Sequence, residues 1–511
     1  MRTIRNLPLL LVVLASAFIH AAQASDDDKT HFQVLLSATF GPTQSDFNEL
    51  KKLGRSEWID RQISEDPTYH YPRFSNSTAF EKQARREYVW WQVVTESPDQ
   101  LRQRSAFALS QIFVVSRFGG LGRYPDSLAS YYDVLIKHAF GNFRDLLQEV
   151  TLHPAMGKYL SMMGSKKANP EKGRFPDENY AREVMQLFTL GLYQLNPDGS
   201  VKRNAGKPIP AYSQNDVEEL ARILTGWTRS EKSLVKPMKN NGNHHDYETK
   251  RFMGYAFKAW QTPKQDLEQA LDILFHHPNL PPHISRLLIQ RLTSSNPSPQ
   301  YIERVANVFV NNGMGIRGDL SAVLKAILMD PEAYSEQSIK VKEPLLAMTQ
   351  LYRAFPPQNK QEVDVRRVYR VTQQGPLRSP SVFNFYSPDY QPTGDLAQHN
   401  LVAPELALMN WNSYTEMVNI MLSYLVQSNK NAPTANMKGW LDLTNQPKSL
   451  VSALDFVLLG GTMSKEMKNI LVIHSAKYGN VKGTRKQKRL LQELLYLTLT
   501  SDEYFVQGGL K

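Results

Sequence analysis

The chain has 511 residues, 41% of them hydrophobic and 21% charged, a globular composition that excludes a disordered or fibrous protein. Cysteine is absent, which removes disulfide scaffolds, thiolate metal sites, cysteine nucleophiles and lipoprotein anchoring together. Lys and Arg number 60 against 49 Asp and Glu, a mildly basic excess of +11 in a chain long enough for two or three ordinary domains.

The N-terminus reads as an address. Arg2 and Arg5 precede an apolar run over residues 7–19, shorter than the roughly 20 residues a bilayer core requires. Ala22-Gln23-Ala24 then gives the small-x-small pattern of a signal-peptidase site, before the polar Ser25-Asp26-Asp27-Asp28. Residues 1–24 are therefore expected to be a cleaved secretory signal, and the mature protein periplasmic or secreted. No later stretch reaches 18 consecutive apolar residues, so no transmembrane segment is expected.

Helix signals dominate the rest. Thr43 with Asp46 forms a capping-box pattern, and Ser97-Pro98 with Gln100 and Thr262-Pro263 with Gln265 repeat it with proline at the first helical position. Ile302, Val305, Ala306, Phe309 and Val310 make one helical stripe, and Ala322, Leu324, Ala326, Ile327 and Leu328 continue it after a glycine-rich turn. Strand alternation is nearly absent. The expected fold is mainly α, a multi-helix globular protein with long irregular loops and little β. Residues 25–500 read as one domain with a sub-domain boundary near 335–395, and residues 501–511 as a tail. The main irregular stretches are 164–176, 195–210 (a short ribbon), 231–243 and 375–394.

Three polar groupings carry chemistry. On a helix beginning at Pro176-Asp177, Glu178 and Arg182 lie at i, i+4, as do Asn179 and Glu183. They form either an ion pair with an interior hydrogen bond, or a polar site. In such a site Glu183 is a general base or metal ligand, Asn179 positions substrate and Arg182 holds an anion. Asp216 either completes a capping box with Ser213 or serves catalysis, while Arg222 and Trp227 follow as an anion holder and a sugar platform or core anchor. His244-His245-Asp246, with Glu248 and Lys250 nearby, is the densest run of candidate metal ligands, suited to zinc, iron, nickel or manganese; the other readings are a loop histidine hydrogen-bonded to a carboxylate, or His245 and Lys250 binding an acidic group. No H-E-x-x-H helix, G-x-S-x-G elbow, Walker A loop or G-x-G-x-x-G fingerprint accompanies them. Trp90, Trp91, Trp260, Phe383, Phe385, Tyr386 and Tyr390 are either core or the lining of a glycan groove. Lys477, Lys482, Arg485, Lys486, Lys488 and Arg489 form a basic cluster, which is either a solvated helix start or, outside the cell, a site for an acidic glycan or anionic surface and not nucleic acid.

Several blocks in fixed order resemble one bacterial family. They are Leu35-Leu36-Ser37-Ala38-Thr39-Phe40-Gly41-Pro42-Thr43, Glu178-Asn179-Tyr180-Ala181-Arg182-Glu183 and Leu187-Phe188-Thr189-Leu190-Gly191. Asp216-Val217, Ala221-Arg222-Ile223-Leu224-Thr225-Gly226-Trp227, His245-Asp246 with Lys250 and Gly254, and Pro380-Ser381-Val382-Phe383-Asn384-Phe385 complete the series. The chain resembles the domain-of-unknown-function family numbered 1800, over essentially residues 31–500. That resemblance implies an exported, mainly helical bacterial protein with a co-exported sulfatase- or phosphatase-like partner, and it implies no activity. Two functions follow from the residues. One is a hydrolytic or metal-assisted enzyme acting on envelope or extracellular polysaccharide, with Glu183, Asp216 and His245 catalytic and Asn179, Arg182, Arg222, Trp227 and Lys250 binding substrate. His245 and Asp246 would hold its divalent metal. The other is a non-catalytic scaffold that binds glycan or the co-exported partner.

Overall fold

A computed structural model describes residues 25–74, 82–336, 338–359, 361–426, 433–479 and 483–508. The signal-peptide expectation for residues 1–24 lies outside them, as does Lys482 of the basic cluster. Helices account for 58% of the structure and strands for 6%, so the fold is mainly α. Among the described residues no helix is long and apolar enough to cross a membrane.

Local capping explains many helix starts. Asp46 N donates to Thr43 Oγ1 at 3.1 Å while Thr43 N donates to Asp46 Oδ2 at 3.0 Å, which satisfies two backbone donors at the start of Gln44–Leu53. Thr262 and Gln265 do the same for Pro263–His276. The third expected box differs. The helix there is Gln100–Ser110, and every one of its residues is buried. Gln100 therefore sends its amide to the carbonyl oxygens of Val94 and Ser97 instead of capping a solvated turn.

The chain divides into two compact units. The first combines Met1–Trp58, Tyr334–Gln374 and Glu405–Lys511. Its core holds Phe32, Leu35, Leu345, Leu351, Leu450, Leu458, Leu490 and Leu494, all nearly or fully buried. The basic residues Lys477, Arg485, Lys486 and Arg489 of this unit are exposed, with Arg489 Nε paired to Glu493 at 3.0 Å.

The second unit combines Ile59–Ala333 and Gly375–Pro404, and it carries every candidate site residue. Ile302, Val305, Ala306 and Phe309 are buried as the helical stripe requires, whereas Val310, at its end, is 47% exposed. Aromatic rings pack against one another at tilted angles: Phe113 lies 5.8 Å from Phe143 and 5.3 Å from Phe188, and Tyr180 lies 6.3 Å from Phe188. Strands occur as two-stranded ribbons. Arg203–Asn204 pairs antiparallel with Lys207–Pro208 within the expected ribbon, and Trp227–Thr228 pairs with Lys239–Asn240. Lys250–Phe252 pairs with Tyr255–Phe257 in a hairpin that the sequence reading does not anticipate. Its turn residues Met253 and Gly254 both have positive φ, 50° and 85°.

Candidate functional site

Glu183 stands at the edge of the apolar face of the helix Asn179–Gln186. Tyr180, Ala181, Val184 and Met185 point inward, and Tyr180 shares a 2.6 Å hydrogen bond with Thr151, which fixes the helix rotation. Glu183, one turn beyond Tyr180, is thereby drawn inside and keeps 7% of its surface exposed. Its Oε2 is closed off from solvent and has no hydrogen-bond partner. Burial raises the carboxyl above the ordinary glutamate range, opposed by the Arg182 charge. Such a carboxyl holds its proton to higher pH than an exposed one.

Two tyrosines adjoin it. Burial and the Glu183 carboxylate push Tyr159 up to about 12, with the Ser379 hydroxyl pulling the other way. Tyr212 is raised chiefly by burial, with Arg182 and Glu183 acting on it in opposite senses. Gly119 makes room for this arrangement, because a Cβ there would fall 2.1 Å from the Tyr159 ring. Gly119→Ala is accordingly expected to displace Tyr159 and lower stability by about 1–3 kcal/mol through overpacking. Thermal unfolding of that variant checks the packing, since an unchanged midpoint would mean the ring moves aside freely.

The outward side of the same helix is polar. Arg182 Nη2 donates to Glu178 Oε2 at 2.9 Å and to Gln214 Oε1 at 3.2 Å, and all three groups are partly solvated. Asn179 is exposed, and its side chain has no hydrogen-bond partner among the described residues. The expected Asn179–Glu183 hydrogen bond is not formed.

A second cluster gathers around His245 and is closed. His245 Nδ1 lies 2.9 Å from Thr225 O and Nε2 lies 3.2 Å from Asp266 Oδ2, with both ionisable side chains fully buried. Lys250 Nζ donates to Asp266 Oδ2 at 2.9 Å, Asp246 O at 2.6 Å and Glu248 O at 3.0 Å, which uses all three of its protons. The Asp246 carboxylate instead accepts from Arg222 Nε at 2.8 Å and Glu248 N at 3.0 Å. Burial alone would raise Asp246, but Arg222 and the Glu248 amide hold it below the usual carboxylate range. Arg222 also pairs with Glu219 at 2.7 Å and donates to Thr249 O.

The residues expected to act together thus fall into two groups. Glu183, Arg182 and Asn179 share one helix beside Tyr159 and Tyr212, whereas His245, Asp246, Lys250 and Arg222 form a buried network with Asp266. Asp216 belongs to neither: Oδ2 accepts from Ser213 N and Oγ at 2.8 and 2.7 Å, and Oδ1 from Met253 N at 2.9 Å. It caps one helix and anchors the hairpin. Trp227 is 5% exposed, with its Nε1 buried and unpaired, so it is a core anchor and no open sugar platform. His245 and Asp246 aim their polar atoms at different partners, and no group of three or more His, Asp or Glu among the described residues converges to hold a metal ion. Of the aromatics, Trp90, Trp91 and Tyr386 are buried, while Trp260 and Phe383 are 80% and 56% exposed.

The model of a protein family of unknown function, DUF1800, matches residues 33–506, nearly the whole described chain. The chain belongs to the DUF1800 family. No curated protein and no solved structure matches it. The DUF1800 match spans both units, so the Glu183 helix and the buried His245 network lie within the family domain.

Proposed function

We propose that the chain is an exported hydrolytic enzyme acting on envelope or extracellular polysaccharide, with Glu183 as its proton donor. The observation that carries this reading is the buried, unpartnered Oε2 of Glu183 on a helix that also presents Asn179 and Arg182, because native interiors pair the large majority of such groups and a catalytic role is one reason for an exception. The proton passes from the carboxyl to the glycosidic oxygen as its bond to the anomeric carbon breaks. Water then adds at that carbon and returns a proton to the carboxylate. Asn179, exposed on the same helix, offers an amide to a sugar hydroxyl, and Arg182 offers a guanidinium. Export rests on the residue pattern over residues 1–24.

The test is release of reducing ends from a panel of neutral and acidic polysaccharides by wild type and by Glu183→Gln. Turnover by the wild type that is lost in the variant supports the reading, and equal turnover by both contradicts it. A second reading, a scaffold for glycan or for a co-exported sulfatase- or phosphatase-like partner, is favoured by one feature. The His245–Lys250–Asp266 network is closed and buried in the manner of a structural cross-brace. Under that reading Glu183→Gln alters stability or partner binding, with no turnover to lose.

A further inference from the structure

Two segments of the second unit are tied side by side. Ser116 Oγ donates to Ser379 O at 2.6 Å and Arg117 N donates to Leu377 O at 3.0 Å. That pairing brings Arg117 and Arg378 onto the same carboxylate oxygen, Glu87 Oε1, at 2.8 and 2.7 Å. Arg86 adds a third guanidinium at 3.5 Å. Burial of Glu87, at 1% exposure, keeps its negative charge inside. The Arg117 and Arg378 side chains are by contrast 26% and 23% exposed. Arg117 spends one guanidinium N–H on Glu87, and its other four face no acceptor among the described residues.

Phe118 lies beneath both cations, 5.8 Å from the Arg117 guanidinium and 5.6 Å from that of Arg378, and is 60% exposed. The next residue, Gly119, abuts Tyr159, and Ser379 follows Arg378 directly. Phe118 and Gly119 thus connect the arginine pair to the ring of Tyr159.

We propose that the substrate of the Glu183 site is an acidic glycan, whose carboxylate or sulfate ester is held by Arg117 and Arg378 while a sugar face packs on Phe118. This inference rests on reading Glu183 as the proton donor of a glycan-cleaving site, and it adds the substrate's charge. Planar, forked guanidiniums recognise such oxyanions through paired hydrogen bonds, and the exposed ring supplies the flat apolar surface that sugar C–H groups cover. Glu87 fixes the two forks before the ligand arrives, which lowers the ordering cost of binding.

Titration calorimetry of the purified protein with three matched probes tests it: oligogalacturonate, a sulfated galacto-oligosaccharide and the neutral galacto-oligosaccharide. At least one charged probe is expected to bind 10-fold or more tighter than the neutral one, about the effect of one charged hydrogen-bonded contact. Its affinity should fall as NaCl rises from about 20 to about 200 mM. The better charged probe identifies the oxyanion as carboxylate or sulfate. Arg117→Gln should remove about 10-fold of the affinity. Phe118→Ala, at an exposed position, should weaken binding with an unchanged melting midpoint, so the test survives if the arginine variant folds poorly. Equal affinity for charged and neutral probes, or full affinity in both variants, overturns the inference. The two readings also fail separately. Hydrolysis of neutral glycan with no charge preference overturns this one and leaves Glu183 as the acid. Selective binding of a charged probe that is never hydrolysed supports the anion site and overturns the Glu183 chemistry.

Discussion

Replacing Asp266 with alanine is expected to destabilise the protein by about 3–5 kcal/mol, the cost of leaving a buried charge without its partner. Asp266 and Lys250 have fully buried side chains 2.9 Å apart, and His245 shares the same carboxylate oxygen. Removing the carboxylate leaves the Lys250 ammonium with two carbonyl oxygens, Asp246 O and Glu248 O, and no counter-charge among them. Calorimetric unfolding should show a midpoint lower by about 5–8 °C, given an unfolding entropy of about 2.1 cal/mol/K per residue in a unit of this size. Combining Asp266→Leu with Lys250→Met removes both charges and should recover most of the loss, because apolar replacements of buried pairs are commonly tolerated. His245 Nε2 then remains without a partner, so recovery should fall short of complete. A loss below about 1 kcal/mol for the alanine variant would mean that water enters the network and the brace carries little.

Glu183→Gln is expected to lower turnover by about 10²–10⁴-fold, the usual contribution of a positioned proton donor, while leaving the fold intact. The stability half of this expectation follows from the missing partner at Oε2, since the substitution breaks no hydrogen bond there. The pH dependence has a definite sign. Burial raises the folded-state carboxyl above its unfolded value, so the folded chain binds this proton more tightly. The stabilisation is complete below the ordinary glutamate value of about 4.5 and is lost as pH rises through the raised one. Glutamine cannot lose a proton, so the variant's midpoint should gain on the wild type's as pH climbs from acid toward neutral. Paired melting curves across that range check the point, and a variant that loses ground with rising pH would contradict it.

Local signals account for what the sequence made legible. The Thr43–Asp46 and Thr262–Gln265 boxes and the buried positions from Ile302 to Phe309 depend on neighbours three or four residues away, and they appear where expected. The Met253-Gly254 turn lacks the usual Asn-Gly or Asp-Gly pair, so the sequence carries no strong signal for its hairpin beyond Gly254 itself. The Glu183 helix was readable, but its surroundings were not. Tyr159 and Tyr212 reach it from distant parts of the chain and carry no motif. His245 and Asp246 are adjacent in sequence, which suggested joint ligation. His245 has extended backbone, in which successive side chains point to opposite sides, so one meets Asp266 and the other meets Arg222. Asp266 belongs to no motif, but it sits on the buried stripe of its helix with Pro263, Leu267 and Ala270, and a charge on such a stripe is the signal that marks it.

The most direct measurement is a carboxyl-carbon NMR titration of the protein labelled with ¹³C at the glutamate side chains, run in parallel on Glu183→Gln. One resonance should titrate above the ordinary value of about 4.5 and vanish in the variant, as expected for a carboxyl raised by burial beside Tyr159 and Tyr212. If the resonance lost in the variant titrates within the ordinary glutamate range, Glu183 is a solvated carboxylate and the proton-donor account fails.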